Sequence, residues 1–117
     1  MHQSRKSILL IDDNPDMLEL GKLVLEMDGF TVRTADSGAE GLKLLAETPA
    51  PDLILLDMQL GDMSGADFLQ QIHSDAPVVF LTGTDECDIP TGRARGYIKK
   101  TTGVDSLLAS VHQFIKS

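Results

Sequence analysis

Three aspartates stand where apolar runs stop: Asp12 and Asp13 follow Ile8-Leu9-Leu10-Ile11, and Asp57 follows Leu53-Ile54-Leu55-Leu56. Carboxylates brought together repel unless a cation or a shared proton offsets them. Their hard oxygens suit Mg2+ (or Mn2+), which keeps waters and a substrate phosphate beside a few protein ligands. Two or three carboxylates with one backbone carbonyl would make such an open site. A carboxylate can also act as nucleophile, because aspartate attack on phosphorus gives an aspartyl phosphate. Asp57, alone at the end of a central apolar run, is the expected nucleophile, with Asp12 and Asp13 as metal ligands and Asp57 sharing the shell. Charge on transferring phosphoryl oxygens calls for donors around it. Lys100 supplies a point charge, Thr82 a hydroxyl and Gly83 an unobstructed backbone N–H. Met58, Gln59, Gly83 and Thr84 flank this constellation and are expected to tune the lifetime of the acyl phosphate.

The elements that must position these residues alternate between strand and helix patterns. Short apolar runs bounded by turn residues read as parallel strands buried on both faces. They are expected over Ser7–Asp12, Phe30–Thr34, Asp52–Leu56, Pro77–Leu81 and, briefly, Tyr97–Lys99. Asn14-Pro15 marks a helix start, with Leu18, Val24 and Leu25, near Met17, Leu20 and Gly21, giving an apolar stripe to about Met27. Ser37 to Glu40 has the form of a capping box and opens a helix to about Glu47. Ser64 caps a third, with Phe68, Leu69 and Ile72 inward, and Thr101 or Thr102 a last one carrying Leu107, Leu108, Val111, Phe114 and Ile115. This order predicts a doubly wound α/β sandwich. Chemistry in such sheets sits beyond the carboxyl ends of the strands, where the strand order reverses. Asp12, Asp13, Asp57 and Thr82 all fall there.

With 117 residues the chain is long enough for one domain. Its net charge of −8 argues against direct nucleic-acid binding and favours attraction of a cation. No apolar run approaches a membrane span, and Met1 to Ser7 does not read as a signal peptide. Cys87 is the only cysteine, so no internal disulfide or thiolate cluster forms. His2, His73 and His112 show no ligand spacing. A cytoplasmic, reduced protein without membrane contact is expected.

The ordered set Asp12-Asp13, Leu53-Ile54-Leu55-Leu56-Asp57, Thr82-Gly83 and Gly96-Tyr97-Ile98-Lys99-Lys100 resembles the receiver domain of two-component response regulators. The resemblance covers about residues 7 to 116 and makes the whole chain, 1–117, a single receiver domain. It implies a flavodoxin-like five-stranded parallel sheet of order 2-1-3-4-5. It also implies a phosphorylation-controlled switch in which Asp57 takes a phosphoryl group from a histidine kinase or phosphotransfer protein with Mg2+ required. By the same resemblance the carbonyl of Gln59 completes the metal shell, Thr82 and Tyr97 are the switch residues, and Lys100 rather than Lys99 is the functional lysine. The output would go to a downstream protein or to an effector domain beyond this chain.

The chain departs from that pattern in three places. Thr101 stands where the family commonly has proline, and Gly61 replaces another frequent proline four residues after Asp57. The link from Gly83 to Gly96 is short, with few apolar residues, so a reduced or missing fourth helix is expected there. That bears on the family's usual output face and leaves the phosphorylation chemistry intact. Three other readings compete. An aspartyl-nucleophile phosphatase would want an acid where Asn14 stands. A flavin carrier would want a hydroxyl-rich loop where Asp12-Asp13-Asn14-Pro15 repels phosphate. A receiver-like docking module without phosphorylation would rest on the short link and Thr101.

Overall fold

A computed structural model describes residues 6–47, 50–58, 60–72, 76–82, 94–99 and 104–115. The elements run β1 (Ser7–Ile11), α1 (Pro15–Met27), β2 (Thr31–Ala35), α2 (Gly38–Glu47), β3 (Leu53–Asp57), α3 (Gly65–Gln71), β4 (Val78–Thr82), β5 (Ala94–Lys99) and α4 (Val104–Ile115). All strand pairs are parallel, in the order β2-β1-β3-β4-β5. This is the expected flavodoxin-like order, and the chain reverses direction across the sheet between β1 and β3. Residues 83–93, on which the reduced fourth helix was expected, lie outside the described residues, as do Thr101 and Thr102.

Alternation along each strand splits the core in two. Ile8, Leu10, Leu53, Leu55, Val79, Leu81 and Ile98 face α1 and α4, where Leu25, Leu107, Val111 and Ile115 meet them. Leu9, Ile11, Ile54, Leu56, Val78 and Phe80 face the other layer, which α3 fills with Phe68 and α2 with half-buried Leu42, Leu44 and Leu45. β3 and β4 are buried at every position. Each buried aliphatic or aromatic side chain there stabilises by roughly 1.5–3 kcal/mol. The strand ends are therefore held by a sheet that cannot slip without turning these residues outward.

Local signals set the helix ends. Asn14 caps α1 by accepting from the N–H groups of Asp16 (2.9 Å) and Met17 (3.4 Å), with Pro15 next. At the other end the N–H of Phe30 donates to Leu25 O (3.1 Å) and that of Gly29 to Glu26 O (3.0 Å). Gly29 sits at φ 98°, a conformation open to glycine and costly for side chains. Because this cap uses the Phe30 N–H, β2 starts at Thr31 rather than at Phe30 as expected. β1 stops at Ile11 rather than Asp12, and β3 and β4 each run one residue further than expected, to Asp57 and Thr82. β5 begins at Ala94, three residues before the expected Tyr97, because pairing with β4 continues past an irregularity at Val78/Val79. Leu20 is no part of the inward stripe: it is 48% exposed. Gly21 and Leu25, one turn apart, take the sheet-facing positions on α1 instead. Among the described residues no helix is long and apolar enough to cross a membrane.

Candidate functional site

β1, β3 and β4 each deliver a polar residue to the same rim. The N–H of Asp12 continues the β1–β2 ladder by donating to Ala35 O (3.1 Å). Its side chain is fully buried, and Oδ1 accepts from the N–H of Asn14 (3.0 Å). This short carboxylate-to-backbone turn hands the chain directly to the Asn14 cap of α1. Asp13 is left exposed at the mouth. Asp57 is the last residue of β3, 8% exposed, and pairs in register with Leu81. Thr82, one residue further along β4, is buried.

Carboxylate oxygens of Asp12, Asp13 and Asp57 lie within 4.8 Å of one another. At that separation two unit charges repel by roughly 3 kcal/mol for an effective dielectric near 20, less where water reaches them. Three such groups held by a rigid rim form an oxygen donor set suited to a hard divalent cation. Tyr97 on β5 pairs with Phe80 on β4, and its side chain is 42% exposed. Lys99, the last residue of β5, is in register with Thr82, so Lys100 follows the strand end. Lys100, Gln59, Gly83 and Thr84 themselves lie outside the described residues.

The loop after Asp57 is pinned close to the rim. The N–H of Met58 donates to Leu81 O (3.2 Å), and Met58 O accepts from the N–H of Gly65 (2.8 Å). A side chain at Gly65 would put its Cβ 2.5 Å from the buried ring of Phe80 and 3.2 Å from Asp57 O. Glycine there lets α3 start directly beneath the Asp57 backbone. Met58 is half-buried against the α3 layer.

One residue at this rim is not legible from sequence patterns. Asp62 reaches back to α2, where its two carboxylate oxygens accept from the N–H groups of Gly38 (2.9 Å) and Ala39 (3.0 Å). Ser37 Oγ accepts from the N–H of Glu40 (3.1 Å), the half of the expected capping box that is seen. The opening N–H groups of α2 are thus satisfied by two residues, one of them distant in sequence. Only an acidic residue in a glycine-containing loop hints at this, which is too weak a signal to place a cap.

Hydrogen bonds from Gly38 and then Ala39 hold the Asp62 carboxyl below its ordinary range. The folded value being depressed, the stabilisation is complete above the unfolded pKa of about 3.9 and is lost as pH falls through the folded value. In denaturant titrations over a pH series, the gap between wild type and Asp62→Asn should therefore shrink below about pH 4. A gap that stays constant through the acid limb would contradict this.

Residues 8–112 match the family model of the response regulator receiver domain. The chain is a response regulator receiver domain. It is 35% identical over 115 residues to the transcriptional regulatory protein KdpE of Mycobacterium tuberculosis, covering 93% of this chain and 50% of KdpE. It is 34% identical to the cell cycle transcriptional regulator CtrA of Caulobacter vibrioides, over 93% of this chain and 50% of CtrA. The receiver domain thus spans about half the length of the curated relatives it matches. Among solved structures it resembles the response regulator protein TrrA of Thermotoga maritima in complex with Mg(2+)-BeF, with TM-score 0.82, 31% identity, and 93% and 98% of the two chains covered. The N-terminal domain of a response regulator/sensory box/GGDEF protein from Carboxydothermus hydrogenoformans gives TM-score 0.84 and 31% identity, over 95% of this chain and 94% of that one. A response regulator receiver domain is a phosphorylation-controlled switch, a phosphoacceptor rather than a multiple-turnover enzyme, and that describes the domain spanned by these residues. The phosphatase and flavin-carrier readings fall with that assignment.

Proposed function

We propose that Asp57 is the phosphoacceptor of this receiver domain, that Asp12 and Asp13 with Asp57 and the carbonyl of Gln59 hold Mg2+, and that Thr82 and Tyr97 carry the switch. The observation that supports this most is the convergence of three carboxylates at the ends of β1 and β3, next to buried Thr82 on β4. The Mg(2+)-BeF complex of the similar TrrA supports the same cation here. When bound, Mg2+ would offset the carboxylate charge and that of the incoming phosphoryl oxygens.

A carboxylate oxygen of Asp57 attacks the phosphorus of a phosphohistidine on a kinase or phosphotransfer protein. The new P–O bond forms as the P–N bond breaks, and the imidazole nitrogen leaves with the electron pair. The carboxylate is well placed for this because β3 is paired with β1 up to Leu56 and with β4 at Asp57 itself, and Asp57 is left 8% exposed. Lys100 pairs with the phosphoryl oxygens, and the Thr82 hydroxyl donates to one of them. Thr82 moving towards the phosphoryl group frees space that Tyr97, 42% exposed in this structure, turns to fill. Met58, Gln59, Gly83 and Thr84 govern water access and hence the lifetime of the acyl phosphate. Water attack at phosphorus returns inorganic phosphate and the carboxylate.

The output passes to a downstream protein or an effector domain in a cytoplasmic pathway. With a net charge of −8, the domain itself is no DNA-binding surface, whatever the relatives named as DNA-binding regulators do with their other half. Wild-type protein incubated with a small acyl-phosphate donor should gain one phosphoryl unit in intact mass, and only with Mg2+ or Mn2+ present. No adduct from any donor, or an adduct formed equally in chelator, would overturn the proposal.

A further inference from the structure

We infer that Asp62 is a positioning residue for the phosphorylation site, latching the β3–α3 loop onto the first turn of α2. The inference rests on the function proposed above. The loop leaves Asp57, and its backbone runs past the carboxylates: a Cβ at Gly61 would lie 3.8 Å from Asp13 Oδ2. Gly61 gives the loop the widest backbone freedom of any residue, at a place where the family often has proline. Rigidity must then come from contacts. Asp62 supplies the strongest, with both carboxylate oxygens on the N–H groups of Gly38 and Ala39. Charge-assisted bonds of this kind are stronger than neutral ones, and the positive end of α2 adds to them.

The neighbouring residue makes the latch two-pronged. The Met63 side chain lies over Gly38 so closely that a Cβ there would be 2.5 Å from its Cγ and Sδ. Met63 O in turn accepts from the N–H of Leu60 (3.0 Å), and Gly65 holds Met58 O at 2.8 Å. Met58 and Leu60 bracket Gln59, whose carbonyl is assigned to the metal. α2 therefore fixes, through Asp62 and Met63, the stretch of backbone that borders the cation site. Releasing Asp62 frees residues 60–63 while the sheet that holds Asp12, Asp13 and Asp57 stays intact.

The test compares wild type, D62A, D62N and D52A. Asp52 accepts from the N–H of Ser7 (2.8 Å) at the opposite end of β3, so D52A destabilises the fold without touching the site. For each protein, phosphoryl uptake from a small acyl-phosphate donor is followed against Mg2+ concentration, and Mg2+ alone is titrated by calorimetry. D62A should raise both the half-saturating Mg2+ concentration and the calorimetric Kd by about five-fold, as for loss of a cap bond. Uptake at saturating Mg2+ should return close to the wild-type rate. D62N, which keeps one acceptor oxygen, should fall between and carries the test if D62A does not fold. D52A should match wild type in both readouts despite a lower melting temperature. A Mg2+ dependence of D62A and D62N within two-fold of wild type, or a D52A shift as large as theirs, overturns the inference. A wild type that neither binds Mg2+ nor takes up a phosphoryl group overturns the proposed function instead.

Discussion

Asp57→Asn is expected to abolish phosphoryl uptake, with no mass increase at any donor or Mg2+ concentration, while the protein stays folded. The two side chains are nearly isosteric, so packing at the end of β3 is preserved and any steric cost is small. What disappears is the anionic oxygen that attacks phosphorus, and an amide has no substitute for it at neutral pH. Asp12 does not take over easily, because its side chain is fully buried and its Oδ1 is engaged with the N–H of Asn14. Asp13 is exposed, but it follows a different strand end. The same substitution removes one of three clustered negative charges, so the metal-free variant should melt no lower than wild type. Intact mass spectrometry with circular dichroism as the control for folding reads both effects. A residual adduct in the folded variant would place the acceptor on another residue and remove the central role given to Asp57.

Much of this site was legible in the sequence for a simple reason. An apolar run that must be buried on both faces can end only at the rim of the sheet, so the acids after Ile11 and Leu56 had to lie there. The alternation of strands and helices then fixed which rim. The misses arise where tertiary partners decide. Strand ends moved by one residue because Phe30 is spent on the α1 cap and Asp57 gains a ladder partner in Leu81. Leu20 has the right residue type for a core position, but Gly21 and Leu25 occupy the sheet-facing side of α1 and leave it half exposed. β5 reaches back to Ala94 on the strength of pairing with β4, which composition alone does not reveal. Asp62 was invisible for the same reason, since its partners Gly38 and Ala39 lie on another element. Capping rules read neighbours in sequence, and this cap reaches from the β3–α3 loop to the start of α2.

Asp13→Asn should produce a crossing that few other substitutions would give: a more stable protein without metal and a less stable one with it. Asp13 is exposed, so water and salt reduce the repulsion it contributes to the cluster from roughly 3 kcal/mol per pair towards about 1 kcal/mol. Removing that charge should raise the metal-free melting temperature by about 4 °C for a domain of this size. The structural cost is low, because among the described residues no backbone cap depends on Asp13, whereas an Asp12 substitution would also break the turn to Asn14. Mg2+ acts the other way. A ligand at about a hundred times its Kd stabilises the folded state by roughly 2.7 kcal/mol, and wild type should gain that on titration. Asp13→Asn loses a charged ligand from a site built on three carboxylates, so its melting temperature should move little over the same range. The two melting curves, measured against Mg2+ concentration by calorimetry, should cross. Parallel curves would mean that Asp13 does not hold the cation. A metal-free variant that melts below wild type would mean that the strand-end acids do not repel each other as their spacing requires.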